Sequence, residues 1–260
     1  MTTMGIYTEQ GDGVLTIKLD RPKANAFDLP MVDKLLAVLA AAEKDDSVRC
    51  VVLTGSGGFF SAGQDISDIQ KAGEDIPYRD HLERTYNQVV RKLRAIEKPI
   101  IGAINGPAAG AGLGIALATD IRWAAESASF SFGFTRIGLA ADSGTSVFLP
   151  LILGLSMASE FAFGGRILTS EEAYRHGLVS RVFPDSELRQ GVHEYATKLA
   201  AGPTRAMGLT KRAFNRTVLK SLDEALAYEA ILQEIAGRTA DHKEGVDAFL
   251  EKRPPVFRGA

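Results

Sequence analysis

The chain of 260 residues contains one cysteine, one tryptophan and four histidines. A lone cysteine excludes an internal disulfide. Cys50, inside the apolar run Cys50-Val51-Val52-Leu53, reads as a small buried hydrophobe. The histidines, at 81, 176, 193 and 242, show no metal-ligand spacing. No apolar stretch is long and unbroken enough to span a bilayer. Residues 100–118 come nearest, but they hold Asn105, Pro107 and five glycines. Nor is one sign of charge in excess: 30 Lys and Arg against 32 Asp and Glu leave −2. That balance gives no electrostatic reason to expect nucleic acid or an anionic membrane. Met1-Thr2-Thr3-Met4-Gly5 begins no signal-peptide pattern, and Phe257-Arg258-Gly259-Ala260 is no peroxisomal address. A cytoplasmic protein without metal, nucleic-acid or membrane partners is expected.

What is present is a globular pattern, 45% hydrophobic, sufficient for a large core. Leu15, Ile17 and Leu19 alternate, as on a strand with one buried face. Pro30 opens a helical pattern with Val32, Leu35, Leu36 and Leu39 on one side. Residues 48–53 suit a strand buried on both faces. A long polar helix is expected over 78–95, a strand over 100–104, and a glycine- and alanine-rich helix over about 110–118. Strands over 120–125 and 129–132 follow, then helices over 143–153 and 156–163. Thr169-Ser170-Glu171-Glu172 is a capping box closed by Gly177, and residues 178–183 read as a strand. The pattern is an α/β core, 1–185, followed by a helical region, 186–260. Periodicity alone would make the core an open doubly wound sheet.

Two segments share one grammar: buried strand, glycine-rich turn, helix. The first ends in Ser61-Ala62-Gly63-Gln64-Asp65-Ile66, the second in Gly106-Pro107-Ala108-Ala109-Gly110-Ala111-Gly112. Such turns present backbone N–H groups at a helix start, where an anion or developing oxyanion can rest. The second segment is not a dinucleotide fingerprint, because counting from Gly110 the third glycine is replaced by Ile115. It is not a phosphate-binding P-loop either, since no Gly-Lys-Ser/Thr follows. The bland alternative is close helix–strand packing.

Phe60 through Ile66, Lys98-Pro99 through Asp120, Ile137-Gly138-Leu139, residues 173–179 and Phe249 through Phe257 together resemble the crotonase (enoyl-CoA hydratase/isomerase) superfamily, in order along nearly the whole chain. The resemblance implies a crotonase-like spiral of ββα turns with a helical C-terminal trimerisation region, and a homotrimer or hexamer. It implies an acyl-CoA substrate, with coenzyme A as part of the thioester and no permanently bound cofactor. It places the oxyanion hole on the N–H groups of Gln64 and Ala111. Contacts to coenzyme A fall on Lys23, Ala24, Ala26, Ala62, Asp65 and Ile66, with Lys252 and Phe249 as further candidates. Gly110, Phe134 and Leu139 fall around the acyl group.

The chain departs from the hydratases of that family at both catalytic glutamates, which align with Gly114 and Phe134. One acid remains. Asp142, in Gly138-Leu139-Ala140-Ala141-Asp142-Ser143-Gly144, resembles the single carboxylate of ring-epoxide and Δ3,Δ2-enoyl-CoA isomerases. A single base suffices to move a proton between two carbons of a thioester enolate. The competing local reading makes Asp142 the N-cap of a helix starting at Ser143. Three alternatives stay open: a hydratase or lyase with atypical acids, a non-catalytic acyl-CoA binder, and a dehalogenase-like hydrolase. The last needs a histidine where this chain has Asn87, with His81 far along the helix. Lys211, Arg212 and Arg216 read as a solvated basic face, His176 as a helix end, and Trp123 as core.

Overall fold

The computed structural model describes residues 5–66 and 77–259. Strand β1 (Gly5–Gly11) pairs antiparallel with β2 (Val14–Asp20). From β2 the sheet continues in parallel through β3 (Cys50–Gly55), β4 (Ile100–Ile104), β6 (Ile121–Ala125) and β9 (Arg181–Phe183), in the order β1-β2-β3-β4-β6-β9. β3 and β4 are rich in β-branched residues and almost wholly buried, as parallel strands covered on both faces must be.

Each parallel strand except β9 is followed by a short second strand or bridge at a sharp corner. After β2, Phe27 bridges Gln64; after β3, Ser61 bridges Ala108. β5 (Ala108–Ala109) pairs with β7 (Ser129–Ser131), which pairs antiparallel with β8 (Ile167–Thr169). A helix returns the chain each time: α1 (Leu29–Lys44), then α2 (Tyr78–Arg84) with α3 (Tyr86–Ala95), then α4 (Ala111–Leu117). The repeat of long strand, short strand and helix is the ββα spiral, not the open doubly wound sheet that periodicity favoured. The corner strands are too short for periodicity to reveal. The expected helix over 78–95 is broken at Thr85, whose backbone (φ −114°, ψ −99°) is not helical.

Short helices α5 (Thr145–Leu153), α6 (Leu155–Gly164) and α7 (Ser170–Arg175) complete the core, α7 with the expected capping box at Thr169 and Glu172. From Leu188 the described chain is helical: α8 (Leu188–Ala200), α9 (Thr204–Val218), α10 (Leu222–Gly237) and α11 (Ala240–Glu251). α8 covers one face of the sheet through Val52, Ile101, Trp123, Leu188 and Val192. α10 packs back on α2 and α5, and α11 on the turn Phe134–Ile137. Among the described residues no helix is long and apolar enough to cross a membrane.

Lys211 corrects the reading of a solvated basic face. It is only 6% exposed, and its Nζ donates to the Leu93 carbonyl at 2.7 Å and pairs with Asp120 at 2.9 Å. Asp120 also takes Arg94 at 2.8 Å and the Ile100 N–H at 2.9 Å, so α9, α3 and β4 meet on one carboxylate. Burial repays the lysine only because this acid is present.

The loop after β2 is locked by Asn25. It sits at φ +54°, a conformation Asn tolerates better than most residues. Its Oδ1 accepts the Arg21 N–H, and its Nδ2 donates to the Ser56 and Phe59 carbonyls, both at 2.9 Å. This ties residues 21–27 to the loop after β3. Asn25→Ala leaves these buried groups unpaired and is expected to cost about 3 kcal/mol in urea unfolding. A loss below about 1 kcal/mol would mean the two loops hold together without it.

Candidate active site

The corner after β3 leaves one amide unspent. Phe27 N–H donates to the Gly63 carbonyl at 2.7 Å, and Asp65 N–H donates to the Phe27 carbonyl at 3.0 Å. These are the two bonds of a parallel bridge centred on Gln64, so the Gln64 N–H points off the ladder. No acceptor for it occurs among the described residues. Ala111, the first residue of α4, has no carbonyl four residues back within the helix. Its cap, Gly110, offers no side chain. Gly63, at φ +85°, brings the two loops together: a Cβ there would lie 2.8 Å from the Ala109 oxygen and 3.1 Å from the Ala111 nitrogen. Only a glycine permits that approach. Gln64 and Ala111 line one cavity of about 1020 Å³.

The Gln64 side chain is tethered as well. Its Oε1 accepts from the Tyr86 hydroxyl and from His81 Nε2 at 3.0 Å. Phe134 faces Gly110 across the cavity, where an added Cβ would stand 3.7 Å from its ring, and Phe132 backs it edge-on at 4.9 Å. His242 holds the wall behind. Its Nδ1 must carry the proton, because it meets the Ile137 carbonyl at 2.7 Å. Its Nε2 therefore accepts from the Tyr78 hydroxyl at 2.6 Å. Leu139 lines the same cavity.

Asp142 also lines the cavity and is 5% exposed. Its carboxylate caps no helix. α5 starts two residues later than expected, and its first amides are taken by Glu229: Gly144 N–H to Oε2 and Ser146 N–H to Oε1, both 2.9 Å. Glu229 is buried, its carboxyl raised by that burial against these bonds. Asp142 meets Thr145 only through its main-chain oxygen. The carboxylate instead accepts the Ser143 hydroxyl on Oδ1 at 2.6 Å and Gln233 Nε2 on Oδ2 at 2.7 Å. Burial foremost, with the Glu229 charge in the same direction, pushes the Asp142 carboxyl up to about 7, against the pull of those two bonds.

Ser143 explains the missing acid at 114. It sits at φ +56°, and a Cβ on Gly114 would collide with the Ser143 side chain and come 2.6 Å from its carbonyl oxygen. The segment that presents Asp142 occupies the space a side chain at 114 would need.

Of the residues expected at coenzyme A, Lys23, Ala26, Ala62, Asp65 and Ile66 line the cavity. Ala24 is not among them; its carbonyl accepts the Ala62 N–H at 3.0 Å. The Asp65 carboxylate is engaged by Arg21 at 2.8 Å. Phe249 lines the cavity from α11, whereas Lys252 is the left-handed cap of that helix and does not. Asn87 is buried, donates to the Leu226 carbonyl at 3.1 Å and lies off the cavity; the histidine that reaches it is His81. Burial lowers His81 below its ordinary value. His81, set aside in the sequence as too far along the helix, lines the cavity, whereas Tyr86, Glu229 and Gln233 escaped the sequence reading. The only local signal was the pairing of Glu229 with Gln233 one helical turn apart, among core positions Leu226 and Ala230.

The enoyl-CoA hydratase/isomerase family model matches residues 9–260. The chain is 41% identical to the 1,2-epoxyphenylacetyl-CoA isomerase of Escherichia coli over 95% of both chains. It is 40% identical to a probable enoyl-CoA hydratase of Rhodobacter capsulatus over 98% of both. The crystal structure of an enoyl-CoA hydratase from Mycobacterium avium subsp. paratuberculosis superposes with a TM-score of 0.88 over 98% of both chains, at 32% identity.

Gly114→Glu, which supplies a carboxylate at the vacant acid position, is expected to unfold or distort the 142–146 segment, costing roughly 3 kcal/mol or more. Thermal unfolding checks this. A variant as stable as the parent would show that the segment yields easily.

Proposed function

Because this chain belongs to the enoyl-CoA hydratase/isomerase family, we propose that it is an acyl-CoA isomerase that shifts a double bond through a thioester enolate, with Asp142 as its proton carrier. The observation that carries this reading is the carboxylate of Asp142. It is buried, free of capping duty, and raised to about 7 in the cavity that also holds two unspent amides.

The thioester oxygen would accept the Gln64 and Ala111 N–H groups. Their pull strengthens as negative charge moves onto that oxygen, which lowers the barrier to enolate formation. Ionised Asp142 then takes a proton from one carbon of the conjugated system and returns it to another. A value near 7 suits both halves of that cycle at neutral pH. The apolar walls of Phe134, Ile137 and Leu139 keep bulk water from quenching the enolate. Hydration would need a second acid, and Gly114 and Phe134 supply none. The name of the Escherichia coli relative supports isomerisation, whereas that of the Rhodobacter relative keeps hydration as a second reading.

The coenzyme A portion would lie across Lys23, Ala26, Ala62 and Ile66, with Phe249 and Arg253 opposite. Assembly into a trimer or hexamer is supported by apolar side chains left exposed on α10: Tyr228, Ile231 and Ile235.

Asp142→Asn is expected to lower isomerisation of 3-enoyl-CoA thioesters by about 10²–10⁴-fold, with thioester binding retained. In the parent, kcat/KM should fall as pH drops through about 7. Stability provides an independent check. A carboxyl raised from 3.8 to about 7 contributes to folding fully below about pH 4, and the contribution is lost as pH rises to 7. The thermal midpoint of the parent should therefore decline between about pH 4 and 7 relative to Asp142→Asn. Undiminished isomerisation by the variant would refute the assignment. Formation of a 3-hydroxyacyl-CoA from crotonyl-CoA would instead select hydration.

A further inference from the structure

The side chain nearest to controlling Asp142 comes from a helix far away in sequence. Gln233 on α10 is 1% exposed and lines the cavity. Its Nε2 donates to Asp142 Oδ2 at 2.7 Å, and its Oε1 accepts the Ala140 N–H at 3.1 Å. The second bond fixes the first. Turning the amide over would set its NH2 against the Ala140 N–H and its oxygen against a carboxylate oxygen, two repulsive contacts at once. The donor toward Asp142 is therefore permanent.

Ser143 differs. Its hydroxyl lies 2.6 Å from Oδ1 and can rotate to donate or to accept. Gln233 supports only a lone pair on Oδ2, whereas Ser143 can follow the proton on Oδ1. One turn earlier on α10, Glu229 holds Gly144 and Ser146, so the same helix grips the loop on both sides of the carboxylate.

We propose that Gln233 is the positioning residue of the site: its locked amide fixes the plane of the Asp142 carboxylate and keeps that group ready to accept a proton. The proposal rests on Asp142 as proton carrier. Other ionisable groups face this region. Glu229 stands on α10, Tyr78 and His81 on α2, Tyr86 on α3, and Arg136 on the turn before Leu139. α4 contributes none. Among the described residues only Glu229 acts on Asp142 by charge, and it opposes ionisation. Gln233 and Ser143 are the donors that favour it.

Two substitutions test this. Gln233→Met keeps length and burial but removes the donor. Gln233→Glu keeps the acceptor for Ala140 and sets a second carboxyl against Asp142. Both should move the acid limb of kcat/KM to higher pH, by about one unit or more for Gln233→Met. Gln233→Glu should move it further, because two carboxyls in contact do not both ionise readily. A purely structural role would lower the plateau rate and leave the midpoint in place.

The ionisation itself can be read without turnover, from the infrared absorption of the protonated carboxyl against pH, with Asp142→Asn subtracted. Folded variants whose infrared midpoint matches the parent's would overturn the proposal. If the infrared midpoint moves while Asp142→Asn still isomerises, Gln233 holds the carboxylate as described and the isomerase reading alone is wrong.

Discussion

Two backbone N–H groups left over by secondary structure organise the rest of this site. A bridge of one residue pair, Phe27 with Gln64, uses the Gly63 carbonyl and the Asp65 N–H and leaves the Gln64 N–H without an acceptor among the described residues. The first turn of α4 does the same for Ala111. Buried donors without partners are costly, and a fold tolerates them only where neighbouring bonds enforce the geometry. Here the enforcement is visible. Asn25 ties three loop carbonyls and an amide together, Ser61 Oγ donates to the Asn25 carbonyl and accepts the Gly63 N–H, and Gly63 lets Ala111 approach. The proposed oxyanion hole is a property of the ββα corner more than of any side chain.

The carboxylate opposite is governed by a balance. Burial and the Glu229 charge favour its neutral form, while Ser143 and Gln233 favour the ion. Burial outweighs the two donors, and the resulting value near 7 suits a base that must also release its proton. Glu229 has a second duty, satisfying the first amides of α5, which frees Asp142 from capping. The C-terminal helices are thus part of the site. Without α10 the 140–146 loop would lose both its clamp and the donor to Oδ2.

Much of this was legible in the sequence where the signal is local. The alternation of Leu15, Ile17 and Leu19, the apolar run into β3, the glycine turns and the capping box at Thr169 all report on residues a few positions apart. The ββα spiral was legible only by resemblance, since its corner strands are one to three residues long. The grip of α10 on the Asp142 loop was not legible, because Glu229 reaches Gly144 across 85 residues and Gln233 reaches Asp142 across 91. Lys211 misled for the same reason: its acid, Asp120, lies on another element. For Asp142 itself, the sequence allowed a cap or a base. The left-handed backbone at Ser143, with Glu229 taking the amides, leaves the carboxylate to the cavity. The empty acid position at Gly114 also has a physical reason, since the loop carrying Asp142 fills that space.

The central claim, that the Gln64 and Ala111 amides receive a thioester oxygen, is tested most directly by the carbonyl stretch of a saturated acyl-CoA labelled with carbon-13 at C1, in isotope-edited infrared difference spectra. Two donors on that oxygen must polarise the bond, so the stretch of the bound thioester should fall below its value in water. A bound carbonyl at or above the free value would mean the amides do not hold it, and the enolate chemistry assigned to this site would be contradicted.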